Sequence, residues 1–270
     1  MAPRLPDRYQ TQVRLGRDGD VEEWLAIDTS LDRPVLVRVL DPDASATRRT
    51  EFMAGARAAA AVQHVHLAGV YAVGEDHGAA YSVLEWYGGV SIADRLEARE
   101  TIPVEEFLPN AAGLAAALAA LHATGATHGA IDPSAIGFSA SHPAKLTAFG
   151  RHGTADQAAD TAGLARSLRL AITGTETPGL LPSQVAEGLP PAVDTALEDA
   201  EAGRATAESL AASLRAIPYS PAPEDRAAWS WRWLIPAGLL LTAALLISAA
   251  GMAMDADEDS PFLFPAAPPA

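Results

Sequence analysis

The sequence predicts an α+β chain with a strand-rich first part, a helical second part and, beyond them, one apolar helix. Three observations carry this. Short β-branched runs fill the chain up to about residue 90, and Ala/Leu runs of helical length follow up to residue 217. After these, 20 uncharged residues stand together at 234–253.

The elements follow in order. Strands are expected at 9–15, 22–27, 35–40, 69–73 and 80–84, interrupted by an Ala/Arg-rich helix at 48–62. In the third strand Val35, Val37 and Val39 share one face, and Leu36, Arg38 and Leu40 share the other. Helices are expected at 104–123, 161–172 and 206–216. Apolar residues make up 49% of the chain but aromatic residues only 6%, so its core must be built from small aliphatic side chains.

Charge and cysteine content exclude several function classes. With 19 basic against 34 acidic residues the formal net charge is −15, and no basic stripe offsets it, which argues against nucleic-acid binding. The absence of cysteine removes disulfides, thiolate chemistry and Cys-based zinc sites, and fits a reducing cytosol. Residues 1–7 contain no apolar run, so no signal peptide is expected.

The uncharged run 234–253 would span about 30 Å as a helix, the thickness of a bilayer's hydrocarbon core. Trp229, Trp231 and Trp233 precede it at the expected interface, and Pro236 falls in its first turn. Arg226 and Arg232 lie before it, whereas Asp255, Asp257, Glu258 and Asp259 lie after it. The positive-inside rule then predicts a single-pass protein of the cell membrane with a cytoplasmic N-terminal domain. The expected organisation is a domain at 1–217, a Pro-rich linker at 218–232, a transmembrane helix at 233–254 and a short acidic and Pro-rich external tail at 255–270.

Several strings, in one register over residues 8 to 216, resemble bacterial, actinobacterial-type Ser/Thr protein kinases. RYQTQVRLGRDGDVEEWLAIDTSLDRPVLVRVL resembles the family's glycine-rich loop and lysine-bearing strand. FMAGARAAAAVQHVHLAGVYAVGE resembles helix C and the following strand, and LEWYGGVSIADRL the hinge. LHATGATHGAIDPSAI stands where the catalytic loop should be, KLTAFG where the metal-binding DFG should be, and GRATAESLAASL resembles the last helix. Asp160 matches the aspartate that opens the next large helix. The implied fold is bilobal and protein-kinase-like, with a small β-rich N-terminal lobe, a helical C-terminal lobe and a lobe boundary near 87–90.

The resemblance also implies what is missing. Gly16 remains of the glycine-rich loop, with Asp18 and Val21 in place of its other glycines. Arg38 replaces the phosphate-pairing lysine, and Gly55 the glutamate that should hold it. His128 remains, but the catalytic base is Ala130, the following lysine Asp132, and the two metal ligands Ala135 and Ala148. Alanine offers no lone pair to a hard cation, so no magnesium site and no catalysis are expected. The segment between Gly150 and Asp160 is too short for a peptide-docking platform, and Arg204 has lost its expected glutamate. Glu85, Trp86 and Tyr87 leave a vestigial nucleotide cleft whose backbone could bond adenine, but the phosphates would meet Asp18, and the balance is against a cofactor.

The remaining side chains have plainer readings. His64 and His66 fit packing or capping roles, and His128 the ordering of the catalytic-loop backbone. His122, His142 and His152 show no partner pattern, and Asp132 reads as a solvated surface residue. Arg38 is expected either to bridge to Glu51, one turn before Gly55, or to be hydrated in an open cleft. The resulting expectation is a membrane-anchored pseudokinase scaffold, with the lipid bilayer, an active kinase and a phosphothreonine-binding, forkhead-associated-type domain as partners. Thr154, Thr161, Thr173, Thr175 and Thr177 stand in segments expected to be exposed, where phosphorylation would create such a ligand. The alternatives are a weakly active or ATP-binding kinase using unorthodox residues, and a structural anchor or small-molecule sensor.

Overall fold

A computed structural model describes residues 3, 5–139, 143–150 and 156–218. The transmembrane helix, the external tail, nearly all of the linker, Thr154, His142 and His152 lie outside the described residues.

The first lobe is an antiparallel sheet of five strands in the order β1-β2-β3-β5-β4. Its strands are β1 (Tyr9–Asp18), β2 (Val21–Asp28), β3 (Arg33–Leu40), β4 (Val70–Asp76) and β5 (Ala79–Glu85), with helix α1 (Ala46–Ala60) after β3. β1 and β2 pair as far as Asp18↔Val21, so Gly19 and Asp20 form a tight two-residue turn, with Gly19 at φ +58°. Central β3 is buried on both faces, as its alternation demands. Val35, Val37 and Val39 pack with Tyr9 and Trp24. Leu36 joins the large core below, and Leu40 meets Phe52 of α1. Ser45 caps α1 by accepting the N–H of Arg48 (3.1 Å), and Phe52, Ala56 and Ala59 form its buried stripe.

The second lobe is helical. Its elements are β6 (Val90–Ser91), α2 (Ile92–Glu97), α3 (Val104–Ala123), β7 (Ile136–Phe138), β8 (Lys145–Leu146), α4 (Gln157–Thr173), α5 (Pro182–Val185), α6 (Ala192–Glu201) and α7 (Ala207–Ala216). Among the described residues only α3 is long and apolar enough to cross a membrane, yet it is the central core helix, burying Phe107, Leu114, Leu118 and Leu121. Its neighbours include α4 and α7.

The predicted strands and longer helices are present with shifted ends. Asp156 rather than Asp160 caps α4, which therefore begins one turn earlier than expected. Strands β6–β8 and helices α2, α5 and α6 were not expected. Each is ten residues or fewer, too short for periodicity to declare it.

Candidate functional site: the cleft between the lobes

The cleft is built from β3, the β1–β2 hairpin, α1, the hinge after β5 and the segment after β8. Arg38 projects into it from β3 and is fully buried. It donates from Nε to Glu23 Oε1 (3.0 Å) and from Nη1 to the carbonyl of Phe149 (2.6 Å), and its Nη2 lies 3.6 Å from Asp18 Oδ2. Its guanidinium also stands 5.9 Å from the centre of the Phe52 ring. No ion pair joins it to Glu51 among the described residues, so the expected strand–helix bridge is replaced by a pairing inside the sheet. The register explains this, because Glu23 lies directly across from Arg38 in the β2–β3 ladder.

Gly55 does more than omit a glutamate. A Cβ at this position would stand 2.8 Å from Gly150 Cα and 3.0 Å from Gly150 N, closer than real side chains approach backbone. Gly150, at φ +73°, is equally confined, since its own Cβ would stand 2.8 Å from the carbonyl oxygen of Phe52. Helix and loop thus touch backbone to backbone. Arg48 is seven residues before Gly55 and so on the same face of α1. It donates to both carboxylate oxygens of Asp20 (2.9 Å each) and to the carbonyl of Gly150 (2.8 Å).

Ala148 is buried with φ +63°, a left-handed backbone that costs a non-glycine residue about 1 kcal/mol. Ala135 is buried and its carbonyl accepts from both the N–H (2.9 Å) and the hydroxyl (3.2 Å) of Thr147. The partly exposed Ala130 completes the set of methyl groups. Asp132 is not merely solvated, because it caps a 3-10 turn, Pro133–Ala135, by accepting from the N–H (2.8 Å) and hydroxyl (2.6 Å) of Ser134. Magnesium needs oxygen ligands, and the positions that would supply them present methyl groups. Ala130, Ala135 and Ala148 bring no side-chain oxygen to this part of the cleft.

The backbone frame of the loop is nevertheless intact. Asp160 accepts the N–H groups of His128 (2.7 Å) and Gly129 (3.0 Å) and lies 3.0 Å from His122 Nε2. His122, which shows no partner pattern in the sequence, thus gains one through the fold. His128 contacts the carbonyl of Thr147 through Nε2 (2.6 Å) and its ring lies 5.0 Å from that of Phe149. His66 packs against Gly113 of α3 and bonds the carbonyl of Ala144 through Nδ1 (2.8 Å), while His64 Nδ1 accepts the N–H of His66 (3.2 Å). Burial lowers the pKa of both rings, and the neighbouring Lys145 adds to this.

At the hinge, Glu85 accepts from Lys145 Nζ (3.1 Å) and from the N–H of Gly69 (3.2 Å), and Lys145 also donates to the carbonyl of Val65 (2.9 Å). Trp86 packs on the main core. Tyr87 lies so close over Gly137 of β7 that any side chain there would overlap its ring and hydroxyl. Burial pushes its phenol far up, helped by the carboxylates of Glu23 and Asp94. Gly16 faces open space. The structure therefore brings Arg38, Gly55, Ala148 and Tyr87 into one region, and adds Glu23, Asp20 and Arg48, which the sequence reading missed. The i, i+7 spacing of Arg48 and Gly55 was the available signal for Arg48.

The remaining expected residues lie apart from the cleft. Arg204 pairs with Asp199 of α6 at the surface (2.7 Å). Thr161 and Thr173 are buried in α4, bonded to the carbonyls of Gln157 and Arg169, contrary to the expected exposure. Thr175 and Thr177 are exposed after α4, with their hydroxyls 2.8 Å apart.

Residues 9–171 match the family model described as protein tyrosine and serine/threonine kinase. Among curated relatives, the chain is 32% identical over 154 residues to serine/threonine-protein kinase PknB of Mycobacterium leprae, covering 55% of this chain and 25% of that protein. It is 34% identical over 154 residues to drp72 of Corynebacterium efficiens, covering 54% and 29%. It is 29% identical over 148 residues to PknL of Mycobacterium tuberculosis, covering 54% and 37%. The chain thus spans roughly a quarter to a third of the length of these relatives. The kinase domain of PknI from Mycobacterium tuberculosis, solved as a point mutant, superposes with a TM-score of 0.64 at 21% identity, covering 77% of this chain and 95% of that one. With a family match over more than half its length and a bilobal kinase-like fold, this chain belongs to the protein kinase family.

Proposed function

We propose that the chain is a catalytically silent member of its family, a pseudokinase that works as a membrane-anchored scaffold. The single observation carrying this is the cleft, where an arginine already paired to Glu23 stands at the lysine position and methyl groups stand at the base and metal positions. Phosphoryl transfer is almost entirely positioning and charge stabilisation, and the lysine, base and two metal-ligand positions hold Arg38, Ala130, Ala135 and Ala148 instead. The arginine asymmetry around residues 234–253 supports the anchoring. Thr175 and Thr177, exposed on one loop, are the described threonines best suited to phosphorylation by an active kinase and to capture by a forkhead-associated-type domain.

The test is the full chain in mild detergent with radiolabelled ATP and magnesium. Neither autophosphorylation nor transfer to a basic protein above a no-enzyme blank is expected. Magnesium-dependent incorporation that vanishes on Arg38→Ala would establish the weakly active kinase instead, the reading favoured by the names of the relatives.

A further inference from the structure

The cleft of a silent kinase could be empty, collapsed or filled. Here it is filled with paired charges. Three carboxylates, Asp18 and Asp20 at the β1–β2 turn and Glu23 behind them, face two arginines, Arg38 of β3 and Arg48 of α1. Each arginine then reaches across to the loop after β8, Arg38 to the carbonyl of Phe149 (2.6 Å) and Arg48 to that of Gly150 (2.8 Å). The chain of contacts runs from hairpin carboxylate to guanidinium to loop carbonyl, twice in parallel. Gly55 and Gly150 permit it, because bulkier residues would hold helix and loop apart.

We propose that these side chains are a permanent internal substitute for a nucleotide and its metal ions. The carboxylates of Asp18, Asp20 and Glu23 take the place of phosphate anions. Arg38 and Arg48 take the place of the cations that tie those anions to the second lobe. The inference rests on the reading of the chain as catalytically silent and goes beyond it, since silence alone does not require a filled cleft. It also gives the substitutions Gly55 and Asp18 a common purpose. A side chain at 55 would break the backbone contact that both arginines span, and a glycine at 18 would leave Arg38 with one fewer anion. The lobes are then clamped at all times, and the domain presents one fixed surface to a partner whatever the nucleotide concentration.

The experiment removes the internal anions and offers external ones. The full chain in mild detergent is compared with the triple variant Asp18→Asn, Asp20→Asn, Glu23→Gln by thermal unfolding, with and without tripolyphosphate or ADP, no magnesium being added. Wild type should show no shift with either probe. The triple variant should melt lower by about 4–12 °C and recover several degrees with tripolyphosphate, which pairs with the vacated guanidiniums. A triple variant as stable as wild type, or one that melts lower but does not respond to tripolyphosphate, overturns the proposal. So does stabilisation of wild type by ADP, and that result without any phosphotransfer would leave the silent-kinase reading standing. Should the triple variant not fold, amide exchange in wild type decides. The amides of 20–21 and 149–150 should exchange at the same rate with and without ADP, whereas added protection refutes the clamp.

Discussion

Replacing Gly55 by alanine sets two known effects against each other. Gly55 lies inside α1, where glycine costs about 1 kcal/mol relative to alanine, so an unobstructed Gly→Ala change would stabilise the domain by that amount. The new Cβ, however, would stand 2.8 Å from Gly150 Cα and 3.0 Å from its nitrogen. These are backbone atoms of a segment held by Arg38, Arg48 and His128, so they cannot yield as a side-chain tip would. Overpacking of this kind costs about 1–3 kcal/mol, and the balance is a net loss of up to about 2 kcal/mol. For a domain of this size that is a fall in Tm of roughly 4–8 °C. Ala54, exposed one position earlier, supplies the control, since Ala54→Gly should lose about 1 kcal/mol through helix propensity alone. Gly55→Glu, which restores the residue the family resemblance leads one to expect, should lose more than Gly55→Ala. The assay is differential scanning fluorimetry of the three variants, checked by urea denaturation. A Gly55→Ala variant that melts above wild type would refute the close approach of helix and loop.

Other perturbations probe separate parts of the molecule. Glu23→Ala should destabilise the fold by about 1–3 kcal/mol by depriving buried Arg38 of an anion, while Glu51→Ala stays within about 0.5 kcal/mol; urea midpoints would show the contrast, and the reverse order would refute it. His66, lowered in pKa chiefly by burial, is neutral in the fold at neutral pH. Its unfolded form takes up a proton at a higher pH than its folded form, so stability is full above about pH 6.5 and falls as pH drops toward the lowered folded value. A melting curve against pH should flatten in that window for His66→Gln, and an unchanged slope would assign the acid sensitivity elsewhere. A reporter active only in the cytosol should work when fused at Met1 and stay silent after Ala270, and the opposite pattern would reverse the topology.

The lobes were legible because their signals are long. The alternation in β3 and the Leu/Ala content of α3 each run over many residues, and the order of strings gave the family. The contents of the cleft were less legible. Arg38 could be placed on the cleft side by strand parity, but its partner depended on which residue of β2 lies opposite, and that is fixed by the β2–β3 register. The Arg48–Asp20 pair joins a helix to a turn 28 residues earlier, and no local pattern announces such a meeting. In the sequence Gly55 shows only the side chain it lacks, whereas its close approach to Gly150 appears only when helix and loop are brought together. The exposure assigned to Thr161 failed because α4 starts at Gln157, which places that hydroxyl on the buried face.

Lys145 is the sole lysine among the 270 residues. Its amine is buried at the hinge, held by the carboxylate of Glu85 and the carbonyl of Val65. Acylating and carbamylating reagents therefore find one side-chain amine in the whole polypeptide, and find it shielded. Reaction must wait for the hinge to open and for the amine to leave its ion pair. The modification rate at that one position thus becomes a clock for hinge opening, read by mass spectrometry as a single mass increment with no competing lysine to subtract.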